Sequence, residues 1–389
     1  MSVTAPAGFR ASGVACGIKA GPRADLALVA TEDGRAVPAA AVFTTNKATA
    51  APVQVSRAHL HRSGGRAAAV VLSSGNANAA TGEVGRRDAT RMAELAAEGV
   101  GCATDEVLVC STGLIGYYLP MPCLEKGVPA AVADLAGGEE ASLAAARAIM
   151  TTDTRAKLTL VDRGGFRVGG IAKGAAMLAP DMATMLAVLT TDASAEPEAL
   201  QRLLRQAVSV SFNRLIVDGC TSTNDTVAVL ASGRAGRVDE DSLLQSLTEA
   251  CHDLAEQMAA DAEGITRTAV IRVSGATSDH HALVAARRVA ESQLVQCSLH
   301  GSDPYWGRIV SELGAAGVDF DPDRVSVAYG GVTVCRAGVA AEHDSDAVAR
   351  HMSAPRVEIS ADLGLGSGTA AVLTTDLSPE YIAENQGTS

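Results

Sequence analysis

Apolar runs of five to seven residues, closed off by Gly, Asp or Ser, recur along this chain and commit it to a fold in which sheets share the core with helices. Asp25–Thr31, Ala67–Ser73, Glu106–Ser111, Leu158–Asp162 and Phe166–Ile171 read as strands. So do Met185–Thr190, Thr226–Ala231, Thr268–Val273, Val325–Tyr329 and Val357–Ala361. Helices stand out where the apolar spacing changes. Leu200, Leu203, Leu204, Ala207 and Val208 fall on one face behind Ser194 and Pro197. Leu243, Leu244, Leu247, Cys251, Leu254 and Met258 form a second stripe, and a third helix is expected over Asp279–Leu294. Isolated helices among hairpin-like runs predict an α/β sandwich with mixed sheets, not a regularly wound βαβ sheet.

With 389 residues the chain exceeds one small core and fits two or three packed domains. Aromatics are only 3% of it, so the core falls to Ala, Val, Leu and Ile. The 38 glycines are scattered among the strand-like runs and mark turns. A formal net charge of −12 argues against nucleic acid or an anionic membrane as partner. The eight cysteines form no Cys-x-x-Cys pair and no metal spacing. No charged-then-apolar leader precedes Gly17, and no run approaches the roughly 18 apolar residues of a membrane span. The expectation is a soluble cytoplasmic protein with reduced thiols.

Several motifs carry no chemistry. Gly364, Gly366 and Gly368 beside Asp362 suggest a phosphate loop, but the following Thr369–Thr375 reads as a strand, so a β-hairpin turn is expected. His280 and His281 follow Asp279 at a helix start and read as solvated; the histidine spacing supplies no metal site. No Gly-x-Ser-x-Gly elbow supports a serine hydrolase. The tripeptide Thr-Thr-Asp occurs at 151–153, 190–192 and 374–376 without any longer repeat.

The most unusual stretch runs from Lys173 to Asp192. Gly174 and Pro180 break regular structure there, and Met185–Leu189 reads as a buried strand. Thr184 thus stands where a loop enters a strand, behind the small Ala183. An N-terminal nucleophile needs such a place. Cleavage between Ala183 and Thr184 would free an α-amine, whose pKa of about 7.7–8.0 suits a general base for the neighbouring hydroxyl. Taken alone, the residues fit an ordinary strand threonine better.

Other segments change that weighting. Gly8-Phe9-Arg10, Gly17-Ile18-Lys19, Val42-Phe43-Thr44-Thr45-Asn46, Ser74-Gly75-Asn76-Ala77-Asn78 and Ser111-Thr112-Gly113-Leu114-Ile115-Gly116 precede the stretch. Ala148-Ile149-Met150-Thr151-Thr152-Asp153-Thr154, Thr221-Ser222-Thr223-Asn224-Asp225-Thr226, Asp261-Ala262-Glu263-Gly264 and Trp306-Gly307-Arg308 complete the set. With Lys173-Gly174 and Met182-Ala183-Thr184-Met185-Leu186, they resemble the ornithine acetyltransferase (bifunctional glutamate N-acetyltransferase) family, in order, from residue 8 to residue 385.

The resemblance implies the family's layered α/β sandwich and self-cleavage before Thr184. The products would be chains 1–183 and 184–389, the latter with an α/β subdomain from about 270, associating as a heterotetramer of two copies of each. It implies ping-pong transfer of an acetyl group from N2-acetyl-L-ornithine to L-glutamate, a recycling step of arginine biosynthesis, with Thr184 as nucleophile and Thr112 and Gly113 as oxyanion donors. Thr151, Lys173, Thr184, Glu263, Asn385 and Ser389 match substrate-binding positions. No metal or cofactor is implied, and acetyl-CoA as an alternative donor stays open. The chain departs from the pattern at Ala176, Gln296, Cys297, Tyr305 and its ending after Asn385. Those departures keep two alternatives in view: the same chemistry on another amino-acid pair, and an N-terminal-nucleophile amide hydrolase.

Overall fold

A computed structural model of the protein describes residues 2–179 and 185–387. Those residues form two compact units, the first holding the chain up to 213 together with 220–258, the second 214–219 and the chain from 259 onward.

The first unit is layered, with two sheets face to face and helices outside each. One sheet runs in the order Phe9–Val14, Leu26–Thr31, Ala69–Asn76, Val107–Leu114; the other runs Arg66–Ala67, Val37–Phe43, Thr226–Arg237, Leu186–Ser194, Arg167–Lys173, Lys157–Asp162. Strand periodicity sends alternate side chains to opposite faces. Ala27 and Val29 accordingly join Leu72, Leu108, Ile171, Val188 and Ala228 between the sheets. Leu26, Leu28 and Ala30 point the other way, onto Val55, Met92, Leu124 and Val128 of the helices Ala51–Arg62, Gly82–Val100 and Met121–Ala133. Small alanines on the inner faces stand where aromatics are scarce. Two glutamines guard the rims of the larger sheet. Gln257 pairs its amide with both backbone groups of Leu158, and Gln201 does the same for Ala41. Each satisfies strand-edge groups that would otherwise recruit another strand.

The expected helices are present at Pro197–Val210 and Glu240–Ala259. The third divides into Asp279–Ala290 and Gln293–His300, because Ser292 adopts an extended conformation and starts a new helix. The helices of the first 150 residues escaped the pattern reading. Gly82–Val100, for example, buries Ala89, Ala93, Ala96 and Ala97, which give little apolar contrast.

The second unit is a single mixed sheet with helices on one face. Its order is Leu215–Ile216, Gly368–Thr375, Thr268–Ala276, Arg356–Asp362, Ser326–Tyr329, Val332–Arg336, Val339–Ala340. Val357, Ile359, Ala269, Ile271 and Val273 face the helices, while Arg272 and Glu358 pair on the exposed side. The expected hairpin at Gly364–Gly368 is not one. Arg356–Asp362 and Gly368–Thr375 flank Thr268–Ala276 instead of pairing with each other. The glycines instead let the connection arch over the end of that middle strand, where a Cβ on Gly366 would lie 2.5 Å from the Ala276 carbonyl oxygen.

The three Thr-Thr-Asp segments share a use. Asp153, Asp192 and Asp376 are buried, and each accepts two backbone N–H groups: Thr151 and Gly174, Ala7 and Arg167, Thr266 and Arg267. Asp192 ties a loop to a strand, and the other two fasten the loop residues beside strand ends.

Candidate active site

The strand Val107–Leu114 lies at the edge of its sheet, parallel to Ala69–Asn76, and the register slips where Gly75 and Asn76 meet Thr112–Leu114. That slip shapes the strand end. Gly113 has φ +129°, and a Cβ there would stand 2.3 Å from the Gly75 carbonyl carbon and 2.6 Å from the Asn76 nitrogen. Only glycine tolerates both the conformation and the approach. Asn224 braces the strand from the other side, its Nδ2 donating to the carbonyls of Ser111 at 2.9 Å and Ala77 at 2.6 Å.

Thr112 is 2% exposed and Lys173, at the end of Arg167–Lys173, is 3% exposed. The Lys173 ammonium donates to the Thr112 hydroxyl at 3.3 Å. A hydroxyl that accepts from an ammonium turns its own hydrogen elsewhere and becomes a stronger donor. This fits an oxyanion donor.

Asp153 organises the floor. Its Oδ1 accepts from the Lys157 ammonium at 2.6 Å and the Gly174 N–H at 2.8 Å, and its Oδ2 from the Thr151 N–H at 3.0 Å. Burial works against its ionisation, but the charges of Lys173 and Lys157 prevail and hold its pKa at about 2. Thr151 is thereby held through its backbone to the carboxylate that steadies the residue after Lys173.

Lys19 comes in on a loop wound round Asp25, whose carboxylate accepts the N–H groups of Cys16, Gly17, Ile18 and Lys19. The Lys19 ammonium donates to the carbonyls of Met150 at 2.6 Å and Ala24 at 2.9 Å, and burial lowers its pKa to about 8. A cavity of about 590 Å³ opens here, with Lys19, Arg23, Arg147, Thr151, Asp153 and Arg155 in its lining. Its charge is mostly positive, against the sign of the whole chain.

The sequence pattern of the ArgJ family matches residues 10–387. This chain belongs to the ArgJ family. The arginine biosynthesis bifunctional protein ArgJ of Thermobifida fusca (strain YX) is 48% identical over 390 residues, covering 100% of both chains. Its counterpart in Mycobacterium tuberculosis (strain ATCC 25618 / H37Rv) is 47% identical over 397 residues, covering 100% of this chain and 96% of that one. Among solved structures, ornithine acetyltransferase complexed with ornithine from Mycobacterium tuberculosis is 47% identical, with a TM-score of 0.44, covering 46% of this chain and 94% of that one.

In the first unit of this ArgJ chain, Lys173 meets Thr112, next to Gly113, and Thr151 is held on the carboxylate of Asp153 that also takes the Gly174 N–H. The second unit pairs two more of the expected residues: Glu263, 7% exposed, accepts from the Asn385 amide at 2.7 Å. Gly264 beside it has φ +63° and presses on Tyr381, where a Cβ would meet the backbone nitrogen at 2.2 Å. Ala183, Thr184 and Ser389 lie outside the described residues.

Two departures from the family pattern have structural uses here. Gln296 is buried and its amide donates to the Val217 carbonyl at 2.8 Å. Tyr305 is exposed and lies under the Arg308 guanidinium, 5.9 Å from the ring centre. Cys297 is exposed with a free thiol.

Pattern reading gave no role to Asp153, Lys157, Asn224 or Asp225. The run Thr221–Thr226 did carry a signal: six polar residues leading into a strand that starts at Thr226, of which Ser222, Asn224, Asp225 and Thr226 are buried. Among the described residues no group of three or more His, Cys, Asp or Glu could hold a metal ion, and no helix is long and apolar enough to cross a membrane.

Proposed function

We propose that this protein is a self-cleaving N-acetyltransferase that moves the acetyl group of N2-acetyl-L-ornithine to L-glutamate through an acetylated Thr184. The observation that carries this reading is the full-length identity of 48% to an arginine biosynthesis bifunctional protein. The buried Thr112–Lys173 pair supports it.

Cleavage of the Ala183–Thr184 bond gives Thr184 a free α-amine, which takes the hydroxyl proton as Oγ attacks the acetyl carbonyl. The hydroxyl of Thr112 and the N–H of Gly113 receive the oxyanion, a term worth about 2.7–4 kcal/mol per donor. Ornithine leaves with the proton, glutamate attacks the ester, and Thr184 is restored. Two easier steps replace one direct amide exchange.

Lys173 and Thr151, with the positive cavity beside Thr151, suit the carboxylates of these amino acids; Glu263, with Asn385 and Ser389, suits an amine. The transfer needs no cofactor, since the nucleophile supplies its own base. Acetyl-CoA is the second donor to try. The cleaved chains remain paired as two of each and work in the cytoplasm.

An intact-mass spectrum tests the first step. The wild-type protein is expected as two fragments summing to the full chain plus one water, the second beginning at Thr184. Thr184→Ala is expected as one mass with no acetyl transfer. A wild-type protein that stays whole would remove the free amine and the mechanism with it. Rates with and without glutamate then separate transferase from hydrolase: turnover indifferent to the acceptor would mean hydrolysis.

A further inference from the structure

Lys19 is a partly buried cation to which the sequence gives no role, and its path through the first unit ties it to the strand end at Gly113. Its stem crosses Gly75: a Cβ on that glycine would stand 3.0 Å from Lys19 Cγ and 3.2 Å from Ile18 Cγ2. Gly75 in turn abuts Gly113, whose own Cβ would stand 2.3 Å from the Gly75 carbonyl carbon. Beyond Gly75 the Lys19 ammonium donates to the Met150 carbonyl at 2.6 Å and the Ala24 carbonyl at 2.9 Å. The Met150 carbonyl belongs to the same peptide whose nitrogen, that of Thr151, donates to Asp153. One peptide unit thus carries Lys19 on its oxygen and Asp153 on its nitrogen.

Neither carbonyl neutralises the ammonium, and the two bonds leave one of its three N–H groups for the cavity. Burial pulls the Lys19 pKa down to about 8; the charges of Arg23 and Lys173 add to that, and those of Asp25 and Asp153 oppose it. Both carboxylates have their own donors, Asp25 in four backbone N–H groups and Asp153 in the Lys157 ammonium. Arg23, Arg147 and Arg155 join Lys19 in the lining of the 590 Å³ cavity, where Asp153 is the one acidic residue among those described. An anion entering there meets four cations and a carboxylate that is already paired.

Donor and acceptor share an α-carboxylate and differ at the far end: ornithine ends in an ammonium, glutamate in a carboxylate. A cluster of one sign favours only one of these ends. Resting on the acetyl-transfer reading above, we infer that Lys19 and Arg147 hold the side-chain carboxylate of the acceptor and so select an acidic amino acid for the second half-reaction. Lys19 is the inner contact, next to Thr151. Arg147, exposed in the last turn of Glu139–Ala148, is the outer one. The same field turns the ornithine ammonium away, so the two amino acids place their side chains differently.

Ping-pong kinetics give a separate kcat/KM for each partner, which lets the two half-reactions be read apart. Lys19→Met is expected to lower kcat/KM for glutamate on the order of 10–100-fold, the size of a lost charged hydrogen bond, and that for N2-acetyl-L-ornithine far less. Glutamine, which has the shape of glutamate without its charge, is the deciding acceptor. The preference for glutamate over glutamine is expected to shrink by a similar factor, and general damage to the fold does not move that ratio. Equal losses for donor and acceptor would place Lys19 on the shared α-carboxylate and overturn the inference. An unchanged ratio would overturn it too. Should Lys19→Met misfold, the exposed Arg147→Gln decides by the same ratio: a several-fold fall supports the inference, and no change overturns it. A wild-type protein that transfers no acetyl group overturns the transfer reading and this inference together. One that transfers it to glutamine as readily as to glutamate overturns only the latter.

Discussion

Lys157→Met is expected to destabilise the first unit by about 3–5 kcal/mol, the usual result of removing one partner from a buried ion pair. Lys157 is 0% exposed, and its ammonium lies 2.6 Å from Asp153. Methionine fills the space but leaves the carboxylate with a weaker set of donors. The disturbance reaches further, because Asp153 also holds the backbone of Thr151 and Gly174. Urea denaturation of wild type and variant reads the loss directly; a difference below about 1 kcal/mol would show that the pair is replaceable.

Acid should expose the same arrangement. The folded pKa of Asp153, about 2, lies below the ordinary 3.8, so this group favours the folded state by roughly 2 kcal/mol. A depressed carboxyl pKa makes that contribution complete above about pH 4, and it is lost as pH falls towards 2. In Lys157→Met the pKa rises towards its ordinary value. Its stability is then expected to depend less steeply on pH between 4 and 2 than that of the wild type.

The second large effect is expected from Gly113→Ala. The added methyl would meet the Gly75 carbonyl carbon at 2.3 Å and the Asn76 nitrogen at 2.6 Å, both backbone atoms. The residue would also have to keep φ +129°, a conformation side chains resist. Relief requires the strand end to swing away and take the Gly113 N–H with it. On the proposed mechanism kcat falls about 10²–10³-fold, the size found when one oxyanion donor is lost.

Gly116→Ala is the control. Gly116 has φ +90°, but nothing lies within 4 Å of its added Cβ. Only backbone strain remains there, on the order of 1–2 kcal/mol, and activity should hold. Equal losses in the two variants would show that the strand end acts through general stability, not through an aimed N–H.

Most strands were readable because both sheets of the first unit bury short apolar runs between Gly and polar residues; Phe9–Val14 and Val37–Phe43 were not. Leu26–Thr31 and Leu186–Ser194 differ from expectation only at their ends. Sheet order was not readable. Thr112 and Lys173 lie on different sheets, and nothing local says that they meet. Asp153 and Lys157, four residues apart, have the spacing of a solvated helix pair, yet the segment between them is not helical and both are buried. Local pattern tells the spacing of charges and is silent on what closes over them. The Gly364–Gly368 segment failed in the same way: glycine announces a turn without saying which strand lies inside it.

The site residues came from resemblance to a family more than from periodicity. Of those candidates, Lys173 contacts Thr112 in the first unit and Glu263 contacts Asn385 in the second. Asn224 was not legible, since the carbonyls it braces, Ala77 and Ser111, are more than 100 residues away in the chain.

The ionic group around Asp153 also determines how the protein meets its medium. Dissolved ions screen charges they can surround, over about 8 Å at physiological strength, and they weaken exposed pairs such as Arg163–Glu249 and Arg202–Glu240. They cannot enter between Lys157 and Asp153, where both side chains are 0% exposed. Added salt therefore competes for the open arginine-lined cavity while the charges beneath it are untouched. On the proposed mechanism, a salt titration of the rate would thus report the capture of anionic substrates, with the Lys157–Asp153 pair constant beneath it.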